Sequence, residues 1–240
     1  MKFARIAAGL AAATAFSFAA PAFADSITFG ASDIGTAYTL NYDGFSDGTS
    51  ISGLTGSTTF TLTGISGNDY TFDYSVTNTS SSPVTGSRIS SFAFNTDPTI
   101  SAATSTGAFS YTTLNSSYPN GIGAIDACFK DAGTGSCSGG GGGGLSIGES
   151  GSGSFTLSFS QPVSSLALSD FYVRYQSITG VPGIGSASGS GTLTSSGGST
   201  SSGGTPVPEP DMLGLMAGAL VVIGLLRRHR PAMRLTSAAA

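Results

Sequence analysis

The 240-residue chain has no tryptophan, two cysteines and a single histidine, His229, close to its end; only 9% of its residues are charged. Each scarcity excludes a class of chemistry. Ser-His-Asp and Cys-His mechanisms need an imidazole as general base, and zinc hydrolase sites draw on imidazole ligands. A paired-carboxylate glycosidase needs no histidine. Between Asp25 and Thr205, however, the acids are ten Asp and one Glu, Glu149 in a Gly/Ser stretch, and they form no distinctive pair. The absence of Trp also removes the commonest sugar platform. The chain is therefore read as no enzyme and as needing no cofactor. Gly and Pro, 36 and 10 residues, stay below the roughly 25–30% of wholly low-complexity chains, and 10% aromatic residues exceed what disordered chains carry.

The formal charge of −4 hides a segregation. Lys2 and Arg5 make the first 24 residues basic. Residues 25–205 set their eleven acids against Arg88, Lys130 and Arg174, a net −8. The remainder has Glu209 and Asp211 against Arg227, Arg228, Arg230 and Arg234. A large acidic segment with no basic patch repels phosphate backbones, which excludes nucleic-acid binding.

Both ends read as addresses. Lys2 and Arg5 precede an apolar stretch from Ile6 to about Phe18, and Ala22-Phe23-Ala24 supplies a small-x-small cleavage pattern. This describes a secretory signal peptide, residues 1–24, cut between Ala24 and Asp25. The apolar run is too short for the alternative, an N-terminal membrane helix. At the other end, Pro206-Val207-Pro208-Glu209-Pro210 is a stiff extended segment. Met212 to Leu226 follows without a charge, and Arg227-Arg228-His229-Arg230 closes it. As a helix the apolar run is about 22 Å long. That falls short of the roughly 30 Å hydrocarbon core, and snorkelling arginines and local thinning make up the difference. The basic cluster puts residues 231–240 on the cytoplasmic side and residues 25–205 outside.

Pro208-Glu209-Pro210, the hydrophobic helix at 212–226 and the cluster Arg227, Arg228 and Arg230 resemble the PEP-CTERM sorting domain of exported bacterial proteins. The resemblance covers residues 206–230; the ten residues after the cluster run longer than is usual in that family. It implies recognition by an exosortase, a membrane-embedded transpeptidase-like enzyme that processes its substrates near the Pro-Glu-Pro motif. It also implies export across a bacterial inner membrane, a membrane-anchored precursor, and delivery to the envelope, the outer surface or the extracellular space. In this reading Glu209 is a recognition charge on a substrate, presented on extended, unpaired backbone.

The segment between the addresses shows period-two alternation. Phe60 and Leu62 alternate with Thr59, Thr61 and Thr63, and Tyr70, Phe72, Tyr74 and Val76 with Thr71, Asp73, Ser75 and Thr77. The short connection Gly64–Asp69 makes these a hairpin. Ile89–Phe94 is a further strand with Phe92 and Phe94 on one face. Phe155, Leu157 and Phe159 form another, and Leu166 and Leu168, then Phe171, Val173 and Tyr175, read as a last pair. No amphipathic helix of ten residues interrupts them. Strands about ten residues apart with Gly, Ser, Asn and Pro between them predict an all-β, β-sandwich or jelly-roll-like exported domain over residues 25–185. Residues 186–205, almost wholly Ser, Gly and Thr, carry too little apolar surface to fold and read as a flexible linker.

Cys128 and Cys137 bound a ten-residue segment that leads into six glycines, Gly139–Gly144. Two cysteines in an exported chain most simply form one disulfide, worth about 2–3 kcal/mol in the chain-entropy picture. A metal site would lack histidine, and a redox pair would want Cys-x-x-Cys spacing. The glycine run lacks the Lys-Ser/Thr and the following helix of a phosphate loop, which leaves an exposed, mobile loop. This block, with Phe94–Pro98 before it and Asp170–Ile178 after it, looks like the cistern family of PEP-CTERM proteins, a resemblance that brings no catalytic activity. Arg174, between Val173 and Tyr175, is read as a cation–π or carboxylate partner on the sheet. The one cation candidate is Asp43-Gly44-Phe45-Ser46-Asp47-Gly48, whose Asp43 and Asp47 offer two carboxylates for calcium. Asp-Gly is also the commonest turn dipeptide, and a plain turn is the preferred reading.

The expectation for function is an exported structural or interaction protein, tied by the resemblance to exopolysaccharide production and so to a surface layer or biofilm matrix. The alternative is a carbohydrate-binding module, which would need Tyr38, Tyr42, Tyr111, Tyr118 and Tyr172 to gather on one exposed face. Intact-mass analysis of the exported protein should place its N terminus at Asp25; a mass retaining residues 1–24 contradicts the cleavage.

Overall fold

Alternating side chains and tight turns build twelve antiparallel strands among the described residues of the computed structural model, which are 25–134, 136–140 and 142–197. In chain order they are β1 (Ser26–Phe29), β2 (Ala37–Ser46), β3 (Thr49–Ser66), β4 (Asp69–Asn78), β5 (Gly86–Asp97), β6 (Ala102–Ser105), β7 (Tyr111–Tyr118), β8 (Gly123–Lys130), β9 (Leu145–Ser146), β10 (Ser150–Ser158), β11 (Leu166–Thr179) and β12 (Ser186–Gly197). The only helical pieces described are two three-residue 3-10 turns. The predicted hairpin is present as β3 and β4, joined by Gly67-Asn68. Asp47-Gly48 joins β2 to β3 with both residues at positive φ (48° and 76°), the requirement of a two-residue I′ turn.

Hydrogen bonding runs without a break through β6-β10-β4-β3-β2-β12-β11-β5-β8-β7, with β1 added to β11 and β9 to β5. The all-β expectation holds. The two faces that enclose the core belong to one nearly closed sheet, whose end strands approach each other: the Thr112 hydroxyl on β7 donates to the Ala103 carbonyl on β6 (3.3 Å). Opposite walls meet through aromatic rings. Phe60 on β3 lies 5.7–6.1 Å from Phe92, Phe94 and Phe171 on β5 and β11, strands that do not pair with β3. Phe155 on β10 is within 6.2 Å of Phe60, Phe72, Tyr74, Phe92, Phe94 and Phe129. Ten of the eleven phenylalanines from Phe29 to Phe171 are buried, each worth about 1.5–3 kcal/mol of transfer free energy.

Two readings of the C-terminal strands are corrected. Leu166–Leu168 and Phe171–Tyr175 are not a pair but one strand, β11. Their alternation changes phase because Asp170 takes a positive φ (53°) where the pairing with β5 shifts between Ser169 and Tyr172. One extra residue in a bulge moves every later side chain to the other parity while keeping the same face buried. The domain also does not stop at residue 185. Residues 186–197, expected as linker, form β12, which lies between β11 and β2. Its small residues are what the place requires. A Cβ on Gly191 would sit 2.7 Å from the Tyr42 ring, and one on Gly189 would sit 2.9 Å from both Tyr175 and Val173. Neighbouring strands supply the apolar volume, and the glycines leave room for it. Residues 198–205, the rest of the expected linker, lie outside the described residues.

Asp25 already belongs to this fold. Near the point where β1 rather than β12 lies beside β11, the Leu193 amide donates to the Asp25 carboxylate (2.6 Å).

Two measurements check the role of β12. A domain ending at residue 185 should fail to fold, whereas one ending at 197 should unfold cooperatively. Gly191→Ala should destabilise by about 1–3 kcal/mol through overpacking, while Ser190→Ala, on an exposed neighbouring position, should stay within about 0.5 kcal/mol.

Candidate functional site

A second layer sits on the outer face of β8, β5, β11 and β12. Phe92 and Phe94 point into the main core, so Ser91, Ala93 and Asn95 point out. A small cluster of Ala93, Tyr118, Ile125, Cys128 and Cys137 covers that side, with Ile122 and Tyr172 packed against it. Two pieces of chain build the cover, the cysteine loop and the β7–β8 hairpin.

Cys128 and Cys137 are bonded and fully buried, with Cα atoms 5.8 Å apart. The loop they close is held to β5 and β11: Ser91 donates to the Cys137 carbonyl (2.5 Å), and Ser90 (2.8 Å) and Gln176 donate to the Ser138 carbonyl. The expectation of an exposed glycine loop is corrected for its first two residues, since Gly139 and Gly140 are buried. Gly139 has φ +73°, and a Cβ there would collide with the Ser90 carbonyl. The glycine lets this backbone lie directly on β5. Gly140 donates to the Asp131 carboxylate (2.6 Å). Lys130 is 1% exposed; its amine donates to the Thr113 hydroxyl and the Thr134 carbonyl, and burial pushes its pKa down against the pull of Asp131.

The hairpin leaves the sheet as it approaches its tip. Pairing of β8 with β5 runs only from Ala127 to Lys130, whereas β7 and β8 stay paired back to Tyr118 and Gly123. The tip, with Asn120 and Gly121 at positive φ (61° and 75°), lies back over the sheet. Tyr118 stacks obliquely on Tyr172 at 5.8 Å, and its hydroxyl reaches Ser91 at 3.4 Å. With its oxygen turned toward the sheet, the Asn120 amide accepts from the Ser188 backbone (2.8 Å) and from Arg174 (3.2 Å). Arg174 also donates to Ser186 (2.6 Å). The carboxylate partner expected for Arg174 is replaced by these neutral groups.

Asn95 ties together two of the three segments that carried the cistern resemblance, Phe94–Pro98 and Asp170–Ile178. Its amide donates to the Asp170 carboxylate and accepts from the Asp126 backbone, both at 3.0 Å. The Asp126 carboxylate in turn accepts from the Thr96 amide (2.9 Å). Sequence reasoning had no signal for Asn78, a buried residue whose amide donates to the Ser87 and Leu145 carbonyls (3.2 and 3.0 Å) and so fastens β4 to β5 and β9.

The other sequence candidates divide plainly. Asp47-Gly48 forms the β2–β3 turn, whereas Asp43-Gly44 lies within β2 with Asp43 exposed, so the segment is not one plain turn. Among the described residues no three His, Cys, Asp or Glu side chains gather to hold a metal ion. The five tyrosines do not share an exposed face: Tyr42 and Tyr118 are buried, Tyr38 packs edge-on against Phe29, Tyr172 lies against Tyr118, and Tyr111 is exposed. Ala24, Pro208, Glu209, Pro210, Arg227, Arg228 and Arg230, and the 212–226 helix, lie outside the described residues, among which no helix is long and apolar enough to cross a membrane. No family model, curated protein or solved structure matches the chain.

Burial pushes the hydroxyls of Tyr42, Tyr118 and Tyr175 well above the ordinary tyrosine range; bonds to Thr58 and Ser91 offset this only in part for the first two. The folded protein therefore keeps three protons that the unfolded chain releases near pH 10, so stability is complete below that pH and falls as pH rises through it. Ultraviolet titration should show these three of the eight tyrosines ionising only with unfolding. Ionisation of all eight before any loss of structure contradicts the assignment.

Proposed function

We propose that this chain is the precursor of an exported structural or interaction protein, sorted through its C-terminal signal to the cell envelope or extracellular matrix. In this reading it is an exosortase substrate and associates with extracellular polysaccharide. The observation that carries the reading is the fit between addresses and fold. The β-domain takes in Asp25, the first residue after the expected signal cleavage, and continues to Gly197, with eight residues between it and the proline-rich segment. An acidic body faced with Ser and Thr lies between two basic, apolar ends. Removing those ends would leave a self-contained unit.

The outer faces of β2, β3, β4 and β10 agree with a displayed role. Thr39, Asn41, Ser57, Thr59, Thr61, Thr71, Ser75, Thr77, Ser152 and Thr156 stand on them, cross-linked by pairs such as Thr39–Thr59 (2.9 Å) and Thr77–Ser150 (2.8 Å). Short hydroxyls pair across strands at small entropic cost and keep the domain soluble with few charges.

Fractionation of cells with and without the processing enzyme tests the proposal. With the enzyme, the domain should reach the surface or medium as a species lacking residues 212–230. Without it, the precursor should stay in the membrane. Recovery of residues 212–230 in the surface product, or identical distribution in both strains, overturns it.

A further inference from the structure

Arg174 is 8% exposed and carries a charge that the fold does not neutralise. Its Nη2 donates to the Ser186 hydroxyl and its Nη1 to the Asn120 amide oxygen, and its Nε has no partner. Placing an ion in such surroundings costs several kcal/mol. What lies around it resembles half of a recognition site. Two phenol rings, Tyr118 and Tyr172, are 5.8 Å apart. The hydroxyls of Ser186 and Ser188 stand beside the guanidinium on β12. The cover over these groups is the end of a two-stranded ribbon that has left the sheet, seated through Tyr118, Ile122 and Ile125 on Ala93 and the cysteine pair and through a few hydrogen bonds.

We propose that the β7–β8 ribbon is a lid over a binding site for an acidic sugar. With the tip of the lid swung out, Arg174 holds the carboxylate of a uronate residue through Nε and Nη2, the side-on pair that matches a carboxylate's two oxygens. Tyr172 contacts the apolar face of the sugar ring, and Ser186 and Ser188 meet its hydroxyls. Lys130, across Ser91 on the same face, is held by Thr113 and Thr134, so one guanidinium remains for the ligand, which suits a singly charged carboxylate better than a phosphate dianion. A body of net charge −8 also disfavours dense polyanions. In the closed state the Asn120 amide oxygen occupies Nη1, beside the two nitrogens that the carboxylate takes. This inference deepens the polysaccharide association proposed above and rests on it for the source of the sugar.

Calorimetric titration of the full chain with trigalacturonate, against neutral galactotriose, is the test. The chain should bind the acidic trisaccharide and show no heat with the neutral one. With no Trp in the chain, tyrosine emission should change as Tyr118 leaves Tyr172. Arg174→Met should weaken binding about 30-fold or more while leaving the melting temperature unchanged or raised. Asn120→Ala, which releases the latch, should tighten binding. Absence of binding by the unaltered chain, or equal binding of both sugars, overturns the proposal. So does a melting temperature several degrees lower in Arg174→Met, because Arg174 would then be explained by stability. The titration needs no sorting enzyme, so its failure and a failure of the fractionation experiment are distinguishable.

Discussion

Closure around Phe155 is the constraint on which the rest of the structure depends. A twisted sheet of this many strands cannot stay flat, and its apolar face must be covered by something. There is no helix among the described residues to cover it, so the sheet covers itself. Phe155 stands where the walls meet, touching rings from β3, β4, β5 and β8. Because the rings fill the centre, strands opposite them need small inward residues, and β12 supplies Ala187, Gly189 and Gly191. Because the sheet is nearly closed, few strand edges remain to pair with other chains. That suits a domain carrying few of the charged gatekeepers that exposed edges usually need.

With the inside filled by aromatics, polarity is pushed to the outer surface, where it takes two forms. On β2, β3, β4 and β10 it is a solvent-facing ladder of short hydroxyls. On β8, β5, β11 and β12 a second layer covers it, pinned by the Cys128–Cys137 bond and by glycines that let the loop backbone lie on β5. The unusual groups concentrate here: a lysine with 1% exposure, an arginine without a carboxylate, and the bulge at Asp170 clamped by Asn95. Local departures from the alternating pattern and from ordinary charge burial fall in this one region, which is where a site on an otherwise regular scaffold is expected.

Much of the fold was legible because it rests on local periodicity. The alternation of Phe60 and Leu62, and of Tyr70 to Val76, specifies strands whatever their partners, and Asp47-Gly48 specifies a turn. Two features were illegible for definite reasons. The phase change between Leu168 and Phe171 looks like a break in sequence, because a bulge alters parity without ending a strand. Residues 186–197 look like linker because composition counts the apolar surface a segment carries and takes no account of what its neighbours bring to it. The disulfide was legible because the chain holds two cysteines and no histidine near them. The pairing of Asn95 with Asp170, the burial of Arg174 and the cover formed by Tyr118–Ile122 depend on strands distant in the chain, and no local pattern announces them.

The sequence by itself determined the strand-forming alternation, the hairpin turns, the poverty of catalytic side chains, and a likeness at both ends to export signals. These are properties of neighbouring residues, set by backbone geometry and side-chain chemistry over a few positions. Only the tertiary structure decided that the strands close into one sheet, that the Ser/Gly segment is a central strand, and that five tyrosines do not make a platform. It alone gave Arg174 neutral partners. Those outcomes depend on which strand lies beside which. Pairing at long range is fixed by how rings of a given size fill a shared interior, a property of the whole assembly of strands and of no segment within it.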